Sequence, residues 1–482
     1  MSRVPIFRRL ASAVSLKPTP PKDHYHVPLP SPSFPSGYLL TGLHSGIKKV
    51  QGVPDLGLIV STSEHPTSAA ACFTRNAFKA APVLVSEEIL KRNGGRARAL
   101  VVNSGCANAV TGRQGMDDAW TMVKETDALL PPSLSKYENE TLVMSTGVIG
   151  QNLPITKIAA GIQSQAVSNA SGTRSLNTDF AAWERTAKAF MTTDTFPKLR
   201  SRTFEIQGVQ YRFGGMDKGA GMIHPDMGPA GTSFPNNNAK QLHATLLGCI
   251  LTDAAVSPRS LQSALTYAVD RSFNSISVDG DMSTNDTIVI LANGAAAPLD
   301  GGKVTEIDYE TDKEGYGVFQ QALTEFAIDL AKLVVRDGEG ATKFVTVTVK
   351  GAPSYKDAHN IASKISTSAL VKTALYGEDA NWGRILAATG SVPLTPSSAF
   401  GPPVIDPTKV NVTFIPSDST AVLPVLINGE PEVVDEVRAK KILGLEDFEI
   451  LVDIGMGGDW EARYWTCDFS YEYVRINGDY RS

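Results

Sequence analysis

A chain of 482 residues exceeds the size at which a single hydrophobic core keeps growing, so two or more lobes are expected. With 42% hydrophobic and 20% charged residues the composition is that of an ordinary soluble globular protein. A formal net charge of −5 argues against a general nucleic-acid or anionic-membrane binder, and no run of about 18 apolar residues is present that could span a bilayer as a helix.

The first 22 residues stand apart. They hold Arg3, Arg8, Arg9, Lys17 and Lys22, several serines and no acid before Asp23, while Ile6, Phe7, Leu10 and Val14 can share one face of a short helix. This is the make-up of a mitochondrial transit peptide, with a disordered basic tail as the alternative; a secretory signal needs a longer apolar core. The Pro-rich stretch from Pro18 to Pro35 then reads as a linker. The four cysteines, Cys72, Cys106, Cys249 and Cys467, form no Cys-x-x-Cys pair, so each is expected to be a small buried residue rather than a disulfide partner, a zinc ligand or a catalyst.

From Gly37 to Lys49 small and apolar residues alternate as in an opening strand and turn, and Leu56–Thr62 and Ala69–Phe73 are further strand candidates. Pro82–Val85 leads into a helix expected near Ser86, with that serine as N-cap and acids in the first turn. The apolar run Ala99–Asn103 predicts a buried strand entering a Gly/Asn-rich loop, followed by a helix from about Gln114. Strands alternating with helices in this way predict an α/β architecture. Leu142-Val-Met-Ser-Thr-Gly-Val-Ile-Gly150 ends a strand in hydroxyls and a glycine N–H, donors of the kind that build oxyanion holes. Met191-Thr-Thr-Asp-Thr-Phe-Pro-Lys198, after a helical segment Phe180–Phe190, offers hydroxyls for a small polar substrate or for a capped turn.

The most informative stretch is Lys218-Gly-Ala-Gly-Met-Ile-His-Pro-Asp-Met227 with Ala244-Thr-Leu-Leu-Gly-Cys-Ile-Leu-Thr-Asp253. Lys218 sits in a Gly-flanked segment where no bulky neighbour shields its ammonium group, and Thr245 stands behind a small residue at the head of an apolar run. A threonine hydroxyl becomes a competent nucleophile when a base adjoins it, and a freed α-amine on the same residue is such a base. The bland alternative is the start of a buried strand. Between the two blocks, Gly228 to His243 has the composition of an exposed loop. Downstream, Ser257-Pro258 opens a helix with Leu261, Ala264, Leu265, Ala268 and Val269 on one face. Asp279-Gly-Asp-Met-Ser-Thr-Asn-Asp has the outline of a calcium loop, but Thr284 and Ile290 fill the positions that need Gly and Glu, and the metal reading fails. It leads into a strand from Thr287 to Leu291. A helix from Phe326 to Val335 ends in Arg336-Asp-Gly-Glu-Gly-Ala-Thr-Lys343, whose Glu339, between two glycines, is expected to be sterically exposed, before a strand from Lys343 to Val349. The terminus Tyr473–Ser482 would by itself be a fraying tail.

Taken together, Lys-Gly-Ala-Gly-Met-Ile-His-Pro, Ala-Thr-Leu-Leu-Gly, Thr-Asp-Ala and Leu375-Tyr-Gly-Glu-Asp-Ala-Asn-Trp-Gly-Arg-Ile385 resemble the ornithine acetyltransferase family, the bifunctional glutamate N-acetyltransferases, from about Gly37 to Ser482. The resemblance implies self-cleavage between Ala244 and Thr245 into residues 23–244 and 245–482. It implies an αββα-type sandwich of mixed sheets built from both chains, assembled as a heterotetramer in the mitochondrial matrix. By the same resemblance Thr245 is the nucleophile, Thr146 and Gly147 hold the oxyanion, and Thr192 (with Thr193 next), Lys218, Glu339, Asn477 and Ser482 contact substrate. The implied reaction moves acetyl from N-acetylornithine to glutamate, with acetyl-coenzyme A as a possible further donor and no metal or tightly bound cofactor. The chain departs from the family in the Gly228–His243 insert and in Asp226, where asparagine is usual. The insert is expected to disturb maturation more than catalysis, unless it is coding sequence absent from the native protein. An N-terminal-threonine aminopeptidase or amidase, with water as acceptor, and a non-enzymatic binding protein are the competing readings.

Overall fold

The computed structural model describes residues 17–131, 134, 136–166, 175–232, 246–300, 303–395 and 404–478. Ala244, Thr245, Ser482, most of the presumed transit peptide and most of the insert therefore lie outside the described residues.

Three sheets organise the chain. A four-stranded sheet runs in the order Tyr38–Leu43, Leu56–Ser61, Ala99–Cys106, Thr141–Val148, with the last pair parallel. A six-stranded sheet runs Lys198–Ile206, Val209–Lys218, Leu247–Thr252, Thr287–Ala292, Ser68–Thr74, Met227–Gly228. Its two middle strands pair parallel to one another and antiparallel to their neighbours on either side. One face of this sheet, through Ala69, Ala71, Phe73, Leu247, Cys249, Leu251, Val289 and Leu291, shares a core with the four-stranded sheet. The other face, through Ala70, Cys72, Ile250, Ile288 and Ile290, packs under the helices Pro258–Asp270 and Lys313–Arg336. Side chains alternate across a strand, so two apolar faces require the near-continuous apolar runs that the sequence shows there. This is an α/β sandwich of mixed sheets. Beside it lies a seven-stranded sheet with a third core of its own, which the sequence reading had not separated.

Most elements fall where the residues placed them, and all four cysteines are buried. The helix expected near Ser86 begins earlier, at Ala81, because Pro82 occupies its first turn. Ser86 then sits inside the helix, and its Oγ donates to Val143 O at 2.8 Å and accepts Val143 N–H at 2.9 Å, clasping the strand Thr141–Val148. The helix ending at Arg336 begins at Lys313, well before Phe326. Asp312 caps it by accepting Gly315 N–H, and Gly315 and Gly317 had concealed its first turns from a propensity reading. The described part of the terminus is a helix, Tyr471–Gly478, rather than a fraying tail, and its Tyr473 and Asn477 contact the site described next; residues 479–482 lie outside the described residues.

Candidate active site

Thr146 and Gly147 end the outer strand of the four-stranded sheet, beside Ser104 and Gly105. The approach is so close that a Cβ on Gly147 would lie 2.3 Å from the Gly105 carbonyl carbon, and the backbone there has φ +124°. Only glycine satisfies both conditions. Thr146 is fully buried and receives a hydrogen bond from Lys218 Nζ at 3.3 Å. An ammonium group can only donate, so it fills a lone pair of Oγ1 and leaves the hydroxyl proton to be given elsewhere.

Lys218, expected in an unshielded segment, is instead fully buried as the last residue of the strand Val209–Lys218. Burial lowers its pKa, partly offset by the charge of Asp194. Asp194 is the organising carboxylate. It accepts Thr192 N–H and Gly219 N–H, each at 2.8 Å, and Lys198 Nζ at 2.6 Å. Burial opposes its ionisation, but the charges of Lys198 and Lys218 outweigh that and hold it well below the usual carboxylate range. Lys198 is also 2.6 Å from Asp337, so two buried lysines face two buried aspartates. Asp217, fully buried alongside, has no hydrogen-bond partner for either oxygen among the described residues, and burial drives its pKa far up. A neutral Asp217 leaves this group of charges balanced. Lys48, from the first turn, donates to Met191 O at 2.7 Å and steadies the same Thr192 loop; burial lowers its pKa to about 8.

Glu339, read as exposed, retains 9% exposure, because the C-terminal helix covers it. Asn477 Nδ2 donates to its carboxylate at 2.8 Å, and Glu339 N–H donates to Ala220 O at 2.8 Å. The carboxylate lies against Gly221, where a Cβ would be 2.3 Å from Oε2. Asp279, whose pKa burial raises to about 6, accepts Ile223 N–H at 2.9 Å and the Tyr473 hydroxyl at 3.2 Å, tying the terminal helix to the same loop.

Thr146, Thr192, Lys218, Glu339 and Asn477 are thus brought around the segment Lys218–Ile223, where both sheets end. Thr146 and Lys218 touch directly, as do Glu339 and Asn477, while Thr192 joins through Asp194. Gly147 follows Thr146. Thr245 lies outside the described residues, but Leu246 and Leu247 enter the six-stranded sheet opposite Lys218. Sequence reasoning missed Asp194, Lys198, Asp337, Asp279 and Lys48. Asp194 and Lys198 stood inside a block already singled out for its hydroxyls; Asp337, Asp279 and Lys48 reach the site only through tertiary contacts.

The profile of the ArgJ family matches residues 39–482. A protein of Laccaria bicolor named arginine biosynthesis bifunctional protein ArgJ, mitochondrial, is 75% identical over 481 residues, which cover 99% of each chain. A protein of the same name from Coprinopsis cinerea is 75% identical over 485 residues, covering 100% of each. The crystal structure of arginine biosynthesis bifunctional protein argJ from Bacillus halodurans is 35% identical, covers 47% of this chain and 96% of its own, and superposes with a TM-score of 0.39. On the profile match and the end-to-end identity, the chain belongs to the ArgJ family.

Proposed function

We propose that this protein transfers acetyl from N-acetylornithine to glutamate in arginine biosynthesis, in the mitochondrion, after cutting itself between Ala244 and Thr245. The observation that carries the reading is the end-to-end likeness to the bifunctional ArgJ proteins; the convergence of Thr146, Lys218, Thr192, Glu339 and Asn477 on one buried loop supports it.

Thr245 Oγ attacks the acetyl carbonyl and its proton passes to the α-amine of the same residue. The Thr146 hydroxyl, its lone pair already taken by Lys218, and the Gly147 N–H donate to the oxyanion. Collapse breaks the amide C–N bond, the proton moves to the leaving nitrogen, and ornithine departs from an acetyl ester on Thr245. The amine of glutamate then attacks the ester, giving N-acetylglutamate and restoring the hydroxyl. Glu339 takes a substrate ammonium group, Lys218 a carboxylate, and Thr192, Asn477 and Ser482 complete the polar lining. Acetyl-coenzyme A serves as an alternative donor, its thiol leaving in place of ornithine. Two such pairs of chains assemble as a heterotetramer. Lys17 contacts the folded body through Glu378 at 2.7 Å and Lys22 through the Arg336 carbonyl.

Intact mass and product analysis test the reading together. The wild type should give two chains divided at Thr245 and make N-acetylglutamate only when glutamate is present. Thr245→Ala should stay whole and inactive. Cleavage of that variant, or release of acetate in place of transfer, would overturn the proposal.

A further inference from the structure

The turn Ser283–Asp286, set aside in the sequence as a failed calcium loop, stands between the two sheets, and two of its side chains reach in different directions. Asn285, 1% exposed, donates through Nδ2 to the carbonyls of Ala107 and Ser145, each at 2.7 Å. The Ser145 carbonyl belongs to the peptide whose N–H is that of Thr146. Asp286, fully buried, accepts Leu246 N–H at 3.0 Å through Oδ1 and Ser283 N–H at 3.2 Å through Oδ2. Leu246 N–H belongs to the peptide that joins it to Thr245, and Leu246 O accepts Thr287 N–H at 3.1 Å. The turn is itself held. Its Ser283 carbonyl accepts the Thr74 hydroxyl at 2.7 Å, its Thr284 carbonyl accepts Ala80 N–H at 3.1 Å, and its Asp286 carbonyl accepts Thr74 N–H at 2.8 Å. Thr284 Oγ1 donates to Asn285 Oδ1 at 2.7 Å, which orients the amide so that its N–H groups reach the carbonyls of Ala107 and Ser145.

We infer that Asn285 and Asp286 are a pair of positioning residues that fix the oxyanion donors and the nucleophile relative to each other, Asn285 through the Ser145–Thr146 peptide and Asp286 through the Thr245–Leu246 peptide. The inference rests on the reading of Thr245 as nucleophile. Thr146 lies in the four-stranded sheet and Leu246 leads into a strand of the six-stranded one, and nothing in either sheet's own ladder sets the distance between them. Adjacent residues of one rigid turn do, because each grips a single peptide unit at the reacting end of its strand. A displacement of about 1 Å between reacting groups costs on the order of 10²-fold in rate, so such a tie controls turnover without touching substrate.

The test is a double-mutant cycle on the full chain. Asn285→Asp keeps the size of the side chain and removes both N–H donors. It should slow self-cleavage and lower kcat by roughly 10²-fold while leaving KM for glutamate within about 3-fold. In a Thr146→Ala background, where the donor it positions is already gone, the same change should cost less than about 3-fold. A full multiplicative loss in that background, or an unchanged kcat in the single variant, would overturn the inference. Where Asn285→Asp melts before assay, Thr284→Val, which removes only the hydroxyl that orients the amide, should lower kcat by about 10-fold with the same non-additivity. Thr245→Ala separates this from the underlying reading. If that variant is cut and active, the nucleophile assignment fails whatever Asn285 does; if it is whole and inactive, a multiplicative Asn285 effect sinks the positioning role alone.

Discussion

At the residue scale the site is a set of buried charges whose protonation is decided by neighbours. Thr146→Ala removes the proposed oxyanion donor, and losses of about 2.7–4 kcal/mol in transition-state stabilisation are typical for such donors. The loss should appear in kcat, whereas Glu339→Gln should raise KM for the amine-bearing substrate. Steady-state kinetics that moved both constants equally in both variants would contradict the division. Asp194 and Asp286 make opposite contributions to the pH dependence of stability. The Asp194 carboxyl is held low, so the stability it contributes is present above the usual carboxylate pKa and lost as pH falls. Burial raises Asp286 to about 7, so the folded state holds a proton that the unfolded state has released. Its contribution therefore declines as pH climbs from about 4 to about 7. Thermal melts of Asp286→Asn across that window should show a shallower decline than the wild type, and an unchanged slope would mean that another group sets it.

At the element scale, two glycines set how near the strands and loops come to one another. Gly147 allows the two parallel strands to close on Gly105, and Gly221 leaves room for the Glu339 carboxylate. Gly221→Ala would place a methyl group 2.3 Å from Oε2, and the far end of that side chain must move. Because the displaced atoms are proposed to bind rather than react, KM should rise several-fold with kcat within about 3-fold of wild type, and Glu339→Gln should add little further loss in the double variant. A fall in kcat alone would place Gly221 in the chemistry instead.

At the scale of the molecule, the six-stranded sheet interleaves the two halves of the chain. Its two middle strands, Leu247–Thr252 and Thr287–Ala292, lie after the proposed cut, and the four strands flanking them lie before it. The cut halves should therefore co-elute on size exclusion and separate only in denaturant. The same sheet bears on the insert. Gly228 stands level with Phe73, Thr287 and Leu247, three strand spacings or roughly 14 Å from Leu247. With Gly228 to His243 deleted, Met227 would reach Leu247 in four residue steps, a span of at most about 14 Å. The shortened connection would be drawn taut across the sheet, and tension on the Ala244–Thr245 peptide favours its cleavage. Deletion should speed maturation, followed by intact mass, and leave mature turnover little changed. Slower cleavage would show that the insert positions Thr245.

The sequence by itself determined the elements whose signal is local. Apolar runs marked the buried strands, the face Leu261, Ala264, Leu265, Ala268 and Val269 marked a helix that proves buried along that face, and Ser-Thr-Gly marked a strand end with donors. Motif blocks carried the family and with it Thr146, Lys218, Glu339 and Asn477. Tertiary structure alone decided what those residues do to one another. Lys218 and Glu339 read as accessible because glycines flank them, and both are buried, since a distant strand and the terminal helix close over them. Asp194, Asp337, Lys198 and Lys218 form one charge-balanced group in which Lys198 and Asp337 stand 139 residues apart in the chain. Asn285 and Asp286 matter through backbone groups of other strands, and a backbone hydrogen-bond partner leaves no mark in the identity of the residue it holds.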